Sequence, residues 1–373
     1  MNYKTLLTIL LISLILIIAG CVNQIINEDT ETPSQNKCGD SLCDKRERVN
    51  PDLCPKDCVI DLQSEEEPVH FLINIHIEPA PYYCQNQEYF DDAVSILEKL
   101  MDYAEESGAK LSVFPEYTFL YGARNFQGSN NIIKRLISRG HSVGMHSHYM
   151  NFFKTRTDID NECDGSKITK DNYLDNFEAI YSTVLGTDNI YSQIRSVYGA
   201  FGPQLLGNLK SKGIKATYYE ICSFPQSSNK DNNYYVTTGD LINIPALEAR
   251  TYLSSIYARG VSNDCYTPSY PNDMIPGEWR QEDFDLIYEG VMSAVNNPRM
   301  DDKIYATGFT AHLHNFANED LMSPKPIPDK MRPDSVELEM FHLWLKEKIK
   351  PLEESGDLEF VNVNEVIEIV EDN

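Results

Sequence analysis

From Val69 onward the apolar residues fall into two alternating rhythms. Short, nearly uninterrupted apolar runs rich in Val, Ile, Phe and Tyr predict strands over residues 69–77, 110–114, 142–145, 194–198, 214–219, 241–244, 304–312 and 358–361. Between them the spacing changes to that of amphipathic helices. Ala93, Leu97, Leu100, Met101 and Ala104 keep a 3.6-residue period, as do Leu174, Phe177, Ile180, Tyr181 and Val184, and again Phe341, Trp344, Leu345 and Ile349. Strands that are apolar on both faces and alternate with helices predict a parallel sheet or barrel covered by those helices. No internal repeat interrupts this reading.

The first 68 residues have a different texture. Lys4 precedes an apolar run over residues 6–18 and then Ala19-Gly20-Cys21, the pattern of a secretory signal. The Ile18-Ala19-Gly20-Cys21 order resembles the lipobox of prokaryotic lipoproteins, in which Cys21 is the site of lipid attachment. The other reading is an uncleaved signal anchor, since the run approaches the length of a membrane span. Both predict an extracytoplasmic protein held to the membrane lipid by residues 1–21. Residues 22–37 read as a flexible tether, 38–58 as a Cys-rich mini-module, 59–68 as an acidic linker and 69–373 as the main domain.

Cysteine usage fits that compartment. Setting Cys21 aside from the nine cysteines leaves eight, an even number suited to disulfides. Cys38, Cys43, Cys54 and Cys58 crowd the mini-module, while Cys84, Cys163, Cys222 and Cys265 are spread through the main domain, and the pairing is not readable from spacing. The C-x4-C and C-x3-C intervals match zinc ribbons and fingers poorly, so the crowded set reads as disulfide staples. A formal charge of −25 without any Lys/Arg cluster excludes a nucleic-acid partner and favours a neutral or cationic substrate.

Only eight histidines occur, and several stand at the ends of predicted strands. His146 and His148 are two residues apart and leave one strand face together, the arrangement of half a metal site. His76 and Glu78 close the first predicted strand in the same i, i+2 relation, His312 and His314 close the seventh, and Arg195 lies on the fourth. Barrel enzymes carry their chemistry at these carboxyl ends. His146 and His148 supply two ligands to a divalent metal ion, zinc foremost, and either His76 or Glu78 supplies a third while the other serves as base. His314 or His312 then protonates the departing group, the division of labour of an amide or ester hydrolase. Arg195 reads equally as a rim ion pair, and Tyr198, Tyr218 and Tyr219 as core or as sugar-stacking rings. His141 precedes its strand and reads as a surface or supporting residue; His70 and His342 have no companions at metal spacing.

The order of these motifs resembles the polysaccharide deacetylases of carbohydrate esterase family 4, the NodB-homology domains, over about residues 69–370. The matching pieces are His76-Ile77-Glu78, Gly140-His141-Ser142-Val143-Gly144-Met145-His146, Arg195-Ser196-Val197-Tyr198-Gly199 with the Leu-rich segment after Pro203, His312-Leu313-His314-Asn315, and Gly356-Asp357-Leu358-Glu359-Phe360-Val361. The resemblance implies a distorted (β/α)7 barrel and metal-dependent removal of acetyl groups from a carbohydrate, chemistry on non-peptide carbon–nitrogen bonds. It maps the acidic motif to His76–Glu78, the first metal histidine to His146, the positioning arginine to Arg195 and the acid histidine to His314. Two positions depart from the family: a single acid, Glu78, stands where it has an adjacent pair, and Met150 stands where it has its second metal histidine. The resulting expectation is His76, His146 and His148 on the metal, Glu78 as base, Arg195 and His314 in catalysis, and His312 as a secondary candidate. Two alternatives remain: a catalytically degenerate carbohydrate-binding surface lipoprotein of the same fold, and another H-x-H metallohydrolase. The latter groups carry H-x-H on their first strand, whereas here it follows two earlier ones.

Overall fold

The computed structural model describes residues 67–147, 158–160, 163–169, 172–199, 203–221, 237–238, 241–248, 281–296, 303–317 and 331–372. The predicted signal with Cys21, the tether, the mini-module with Cys38, Cys43, Cys54 and Cys58, and also His148, Cys222 and Cys265 lie outside the described residues. In chain order the elements are β1 (Val69–Ile77), α1 (Gln87–Glu106), β2 (Leu111–Pro115), α2 (Tyr117–Gly122), α3 (Ile132–Ser138), β3 (Ser142–Val143), β4 (Met145–Ser147), β5 (Asp158–Asp160), β6 (Lys167–Thr169) and α4 (Tyr173–Leu185). They continue with β7 (Ser196–Gly199), α5 (Pro203–Lys212), β8 (Ala216–Ile221), β9 (Thr237–Thr238), β10 (Ile242–Glu248), α6 (Gln281–Val295), β11 (Ala306–His312), α7 (Val336–Trp344), β12 (Leu358–Phe360) and α8 (Val363–Asp372). The expected α/β alternation is present. Helix α1 shows the local logic: the Asn86 side chain accepts from the Tyr89 N–H at its start, and the periodic face of Ala93, Leu97, Leu100, Met101 and Ala104 is buried.

The main sheet runs β3-β2-β1-β11-β10-β8-β7-β4, with every pair along this path parallel. One edge of β1 is taken by β11, and the other is shared: β12 pairs with Val69–Phe71 and β2 with Ile73–Ile77. The two ends of the path, β3 and β4, are neighbours in the chain, separated only by Gly144. Ser142 and Val143 pair with β2, whereas Met145, His146 and Ser147 pair with β7. The single predicted strand over residues 142–145 is therefore two short strands that change partner. Gly144 permits this because a Cβ there would lie 2.4 Å from Phe114 Cε1 and 2.7 Å from Ser196 Oγ.

All nine residues of β1 are buried, and its two faces meet different surroundings. Phe71, Ile73, Ile75 and Ile77 pack in the larger core with Leu97, Leu100, Phe341 and Trp344 of the helices. On the other face Leu72 joins Phe114, Tyr198, Ala216, Ile244 and Ala306, together with Val363, Val366 and Ile367 of α8. That helix covers the amino-terminal ends of the strands, its first N–H donating to Ser112 Oγ at 3.0 Å. Further along the same face of β1, Asn74 donates to Thr310 Oγ1 at 3.3 Å. His76 comes next, so this face passes from apolar to polar to ionisable toward the carboxyl end. Replacing Gly144 by Ala should force Phe114 and Ser196 apart and cost about 1–3 kcal/mol, as overpacking does; a thermal melt of Gly144→Ala that coincides with the wild type would contradict this account of the partner change.

Candidate metal centre

Strand pairing brings the ionisable residues together. His76 and His312 are register partners on β1 and β11, and His146 lies opposite Tyr198 on β4 and β7. Glu78 stands one residue past β1 and its Oε1 is the meeting point: it lies 2.7 Å from His312 Nε2, 3.6 Å from His146 Nε2 and 4.0 Å from His76 Nδ1. The His76 ring is 3.9 Å from that of His312 and 4.9 Å from that of His146, centroid to centroid. The three imidazoles are buried, and the Glu78 side chain keeps 13% of its exposure. One ligand atom each from His76, Glu78 and His146 falls within 4.8 Å of the other two. Two imidazoles and a carboxylate brought this close together fit a divalent cation.

Backbone groups fix the orientation of these rings. His146 Nδ1 lies 3.1 Å from the Tyr198 carbonyl, which can only accept, so Nδ1 carries the hydrogen and the Nε2 lone pair is on the Glu78 side. Two residues earlier the Tyr181 hydroxyl donates to the Gly144 carbonyl at 2.6 Å. Past β11 the His312 N–H donates to Asn315 Oδ1 at 2.8 Å, opening the turn that carries His314. His314 is partly buried, with its ring stacked 4.9 Å from that of His312.

A second carboxyl at this level had no signal in the sequence. Glu116 follows β2 directly, its N–H donates to the Ile77 carbonyl at 3.2 Å, and it is only 1% exposed. Its Oε2 accepts from the Thr118 N–H at 3.2 Å, capping α2. Burial pushes its pKa well up; the Thr118 N–H opposes this, and the nearby charge of Glu78 adds to it. Read linearly, an acid before Tyr117 is an ordinary loop residue. Only the register of β1 against β2 places it beside Glu78.

Other predicted residues stand elsewhere. Arg195 precedes β7, at the end of that strand away from His146, and pairs with Glu368 at 3.4 Å and Glu371 at 2.7 Å of α8, where Lys215 joins Glu371 at 3.0 Å. It is not brought to the cluster. Tyr198 is buried, its ring 4.5 Å from His76 and 5.6 Å from Phe114, a wall of the site. Tyr218 and Tyr219 belong to β8. His141 accepts the Leu111 N–H on Nδ1 at 3.0 Å and meets Glu105 through Nε2 at 3.1 Å. His70 pairs with Glu359, and His342 with Glu106, both at 3.1 Å. Of the cysteines, Cys84 and Cys163 form a disulfide.

The chain is thus a parallel α/β protein with a buried His–Glu–His cluster at its strand ends. No family model matches it, and no curated protein matches it in sequence. Among solved structures it is similar to a protein assigned as a polysaccharide deacetylase from Mycobacterium smegmatis, at 10% identity and a TM-score of 0.45, over 82% of this chain and 91% of that one. It is also similar to a 4-alpha-glucanotransferase from Thermococcus litoralis, at 14% identity and a TM-score of 0.47, over 81% of this chain but 40% of the other. A third structure, the Puue allantoinase, overlaps 81% of this chain and 89% of its own at 9% identity and a TM-score of 0.42. At such identities and scores these overlays assign no chemistry and no residue role.

The Glu116 carboxyl gives a pH test. With its folded pKa raised by burial, its contribution to stability is present below the unfolded carboxylate value and is lost as pH rises toward the folded one. Glu116→Gln, which stays neutral, should therefore gain in melting temperature relative to wild type more at pH 8 than at pH 4. Equal differences at the two pH values would show that the carboxyl titrates alike in both states.

Proposed function

We propose that this chain is a metal-dependent hydrolase that removes acetyl groups from a carbohydrate, held to the outer face of a membrane by its N-terminal segment. The observation that carries this reading is the convergence of His76, His146 and His312 on one oxygen of Glu78 at the carboxyl ends of neighbouring strands. We further propose that the sheet path closes on itself as a distorted (β/α)7 barrel; the support is that its two ends are one chain segment, joined at Gly144. The Cys84–Cys163 disulfide favours an oxidising compartment, in keeping with the signal-like segment ending at Cys21.

In this reading His76, His146 and Glu78 would hold a zinc ion, and His148 is the further ligand that the sequence pattern offers. A bound zinc polarises an acyl carbonyl and acidifies water. Glu78 would help to hold the cation and, as base, take a proton from the attacking water. The water oxygen forms a bond to the acetyl carbon as the carbon–nitrogen bond breaks. His312, hydrogen-bonded to Glu78, keeps that carboxylate in place, and His314 gives a proton to the departing nitrogen. The product sugar then bears an amine, which takes the proton that the released acetic acid gives up and becomes an ammonium group, a species that a chain of charge −25 attracts.

Metal analysis with acetate release from acetylated chito-oligosaccharides tests the reading. One zinc per chain and measurable acetate are expected, with Glu78→Gln lowering the rate by about 10²–10⁴ and His146→Ala losing the metal. A folded chain that takes up no zinc and releases no acetate from any acetylated glycan would sink it; retained glycan binding in that case would point to a non-catalytic surface protein.

A further inference from the structure

The segment after β1 reads Glu78-Pro79-Ala80-Pro81. Proline has no backbone N–H, so between Glu78 and Tyr82 the chain has one main-chain donor, that of Ala80. This donor goes to Thr118 Oγ1 at 3.0 Å, a buried contact. Thr118 in turn donates its own N–H to Glu116 Oε2 at 3.2 Å, and Glu116 donates its N–H to the Ile77 carbonyl at 3.2 Å. The contacts form a bracket: residue 116 holds the chain just before Glu78, residue 118 holds it just after, and the Glu116 carboxyl ties the two holders together. Ala80, Glu116 and Thr118 are each 1% exposed, so water does not substitute for any of these bonds.

The identity of the parts argues for a purpose beyond folding. Burying a carboxyl costs free energy that a surface Ser or Asp would avoid while capping α2 equally well. The two prolines stiffen the segment but remove donors that would otherwise anchor it, leaving the Ala80 N–H as its one main-chain donor, while its Ala80 and Pro81 carbonyls accept from Tyr83, Cys84 and Gln85 of the following turn.

We propose that Glu116 and Thr118 are positioning residues that fix Glu78 over the cluster by clamping the Pro79–Pro81 segment. The proposal rests on the role given to Glu78 above. Neither residue touches the reacting atoms; each acts through the backbone on either side of Glu78.

Paired substitutions separate the clamp from general stability. Thr118→Val keeps the volume and deletes the acceptor, whereas Thr118→Ser keeps it; Glu116→Leu deletes the carbonyl acceptor, whereas Glu116→Gln keeps one. Hydrogen exchange of the full chain over Glu78–Tyr82 should accelerate about fivefold or more in Thr118→Val, the loss of one hydrogen bond, and stay near wild type in Thr118→Ser, with β1 equally protected in both. Zinc affinity, read by competition with a chelator, should fall roughly 10–100-fold in Thr118→Val and Glu116→Leu, as when groups supporting a ligand are removed. In these two variants kcat should fall with KM little changed, whereas the conservative variants Thr118→Ser and Glu116→Gln should keep both properties near wild type. Unchanged exchange over Glu78–Tyr82 would overturn the clamp. Accelerated exchange with wild-type zinc affinity and kcat would reduce it to a structural tie and overturn the positioning role. A wild-type chain without zinc binding, in which exchange still responds to Thr118→Val, would retire the proposed reaction while supporting the clamp.

Discussion

The change of partner at Gly144 sets the geometry on which the rest depends. Strand β1 brings His76 and Glu78 to one place, and from there the path toward β4 runs in two directions. Through β2 it reaches Ser142 and Val143; through β11, β10, β8 and β7 it reaches Met145 and His146. Both routes end in the same short segment. A Cβ at position 144 would lie 2.4 Å from Phe114 Cε1, so the close packing of Phe114, Ser196 and Gly144 is what lets one segment serve both neighbours. His146 then sits where its Nε2 faces the same carboxylate oxygen as His76, from a different strand of the sheet.

The face shared by Leu72, Asn74 and His76 is graded along its length. Helix α8 seals the amino-terminal end with Val363, Val366 and Ile367 against Leu72 and Ala306, and its acidic far side pairs with Arg195 and Lys215. Hydrogen-bonded Asn74, Thr310, Ser112 and Ser142 follow. The cluster of His76, Glu78, His146 and His312 stands at the last level, where Glu78 retains some contact with solvent. Burying one imidazole or carboxylate alone would cost several kcal/mol. Grouping three imidazoles around one carboxylate offsets part of that cost, and a cation would offset more.

Much of this was legible in the linear pattern. The apolar runs located the strands because buried parallel strands are apolar on both faces, and the scarcity of histidine made its recurrence at strand ends conspicuous. The limits have physical causes. Arg195 lies on the predicted fourth strand but near its amino-terminal end, and in a parallel sheet that is the end sealed by α8, away from the histidines. Glu116 was invisible because its place depends on the register of β1 against β2. The Cys84–Cys163 bond joins residues 79 apart, which spacing does not encode. The expected second metal histidine, His148, lies outside the described residues; among those described, Glu78 stands beside His76 and His146.

The motif Gly140-His141-Ser142-Val143-Gly144-Met145-His146 contains two histidines whose opposite fates follow from one backbone group each. At His141 the partner of Nδ1 is the Leu111 N–H, a donor, so the ring must carry its hydrogen on Nε2, where Glu105 accepts it. Both nitrogens are then committed, burial keeps the ring neutral by lowering its pKa, and the residue ties β2 to α1. At His146 the partner of Nδ1 is the Tyr198 carbonyl, an acceptor, so the hydrogen is on Nδ1 and a lone pair remains on Nε2 beside Glu78. A metal ligand requires that lone pair. Five residues apart on one chain segment, identical side chains become a strut and a candidate ligand because one ring meets an N–H and the other a C=O.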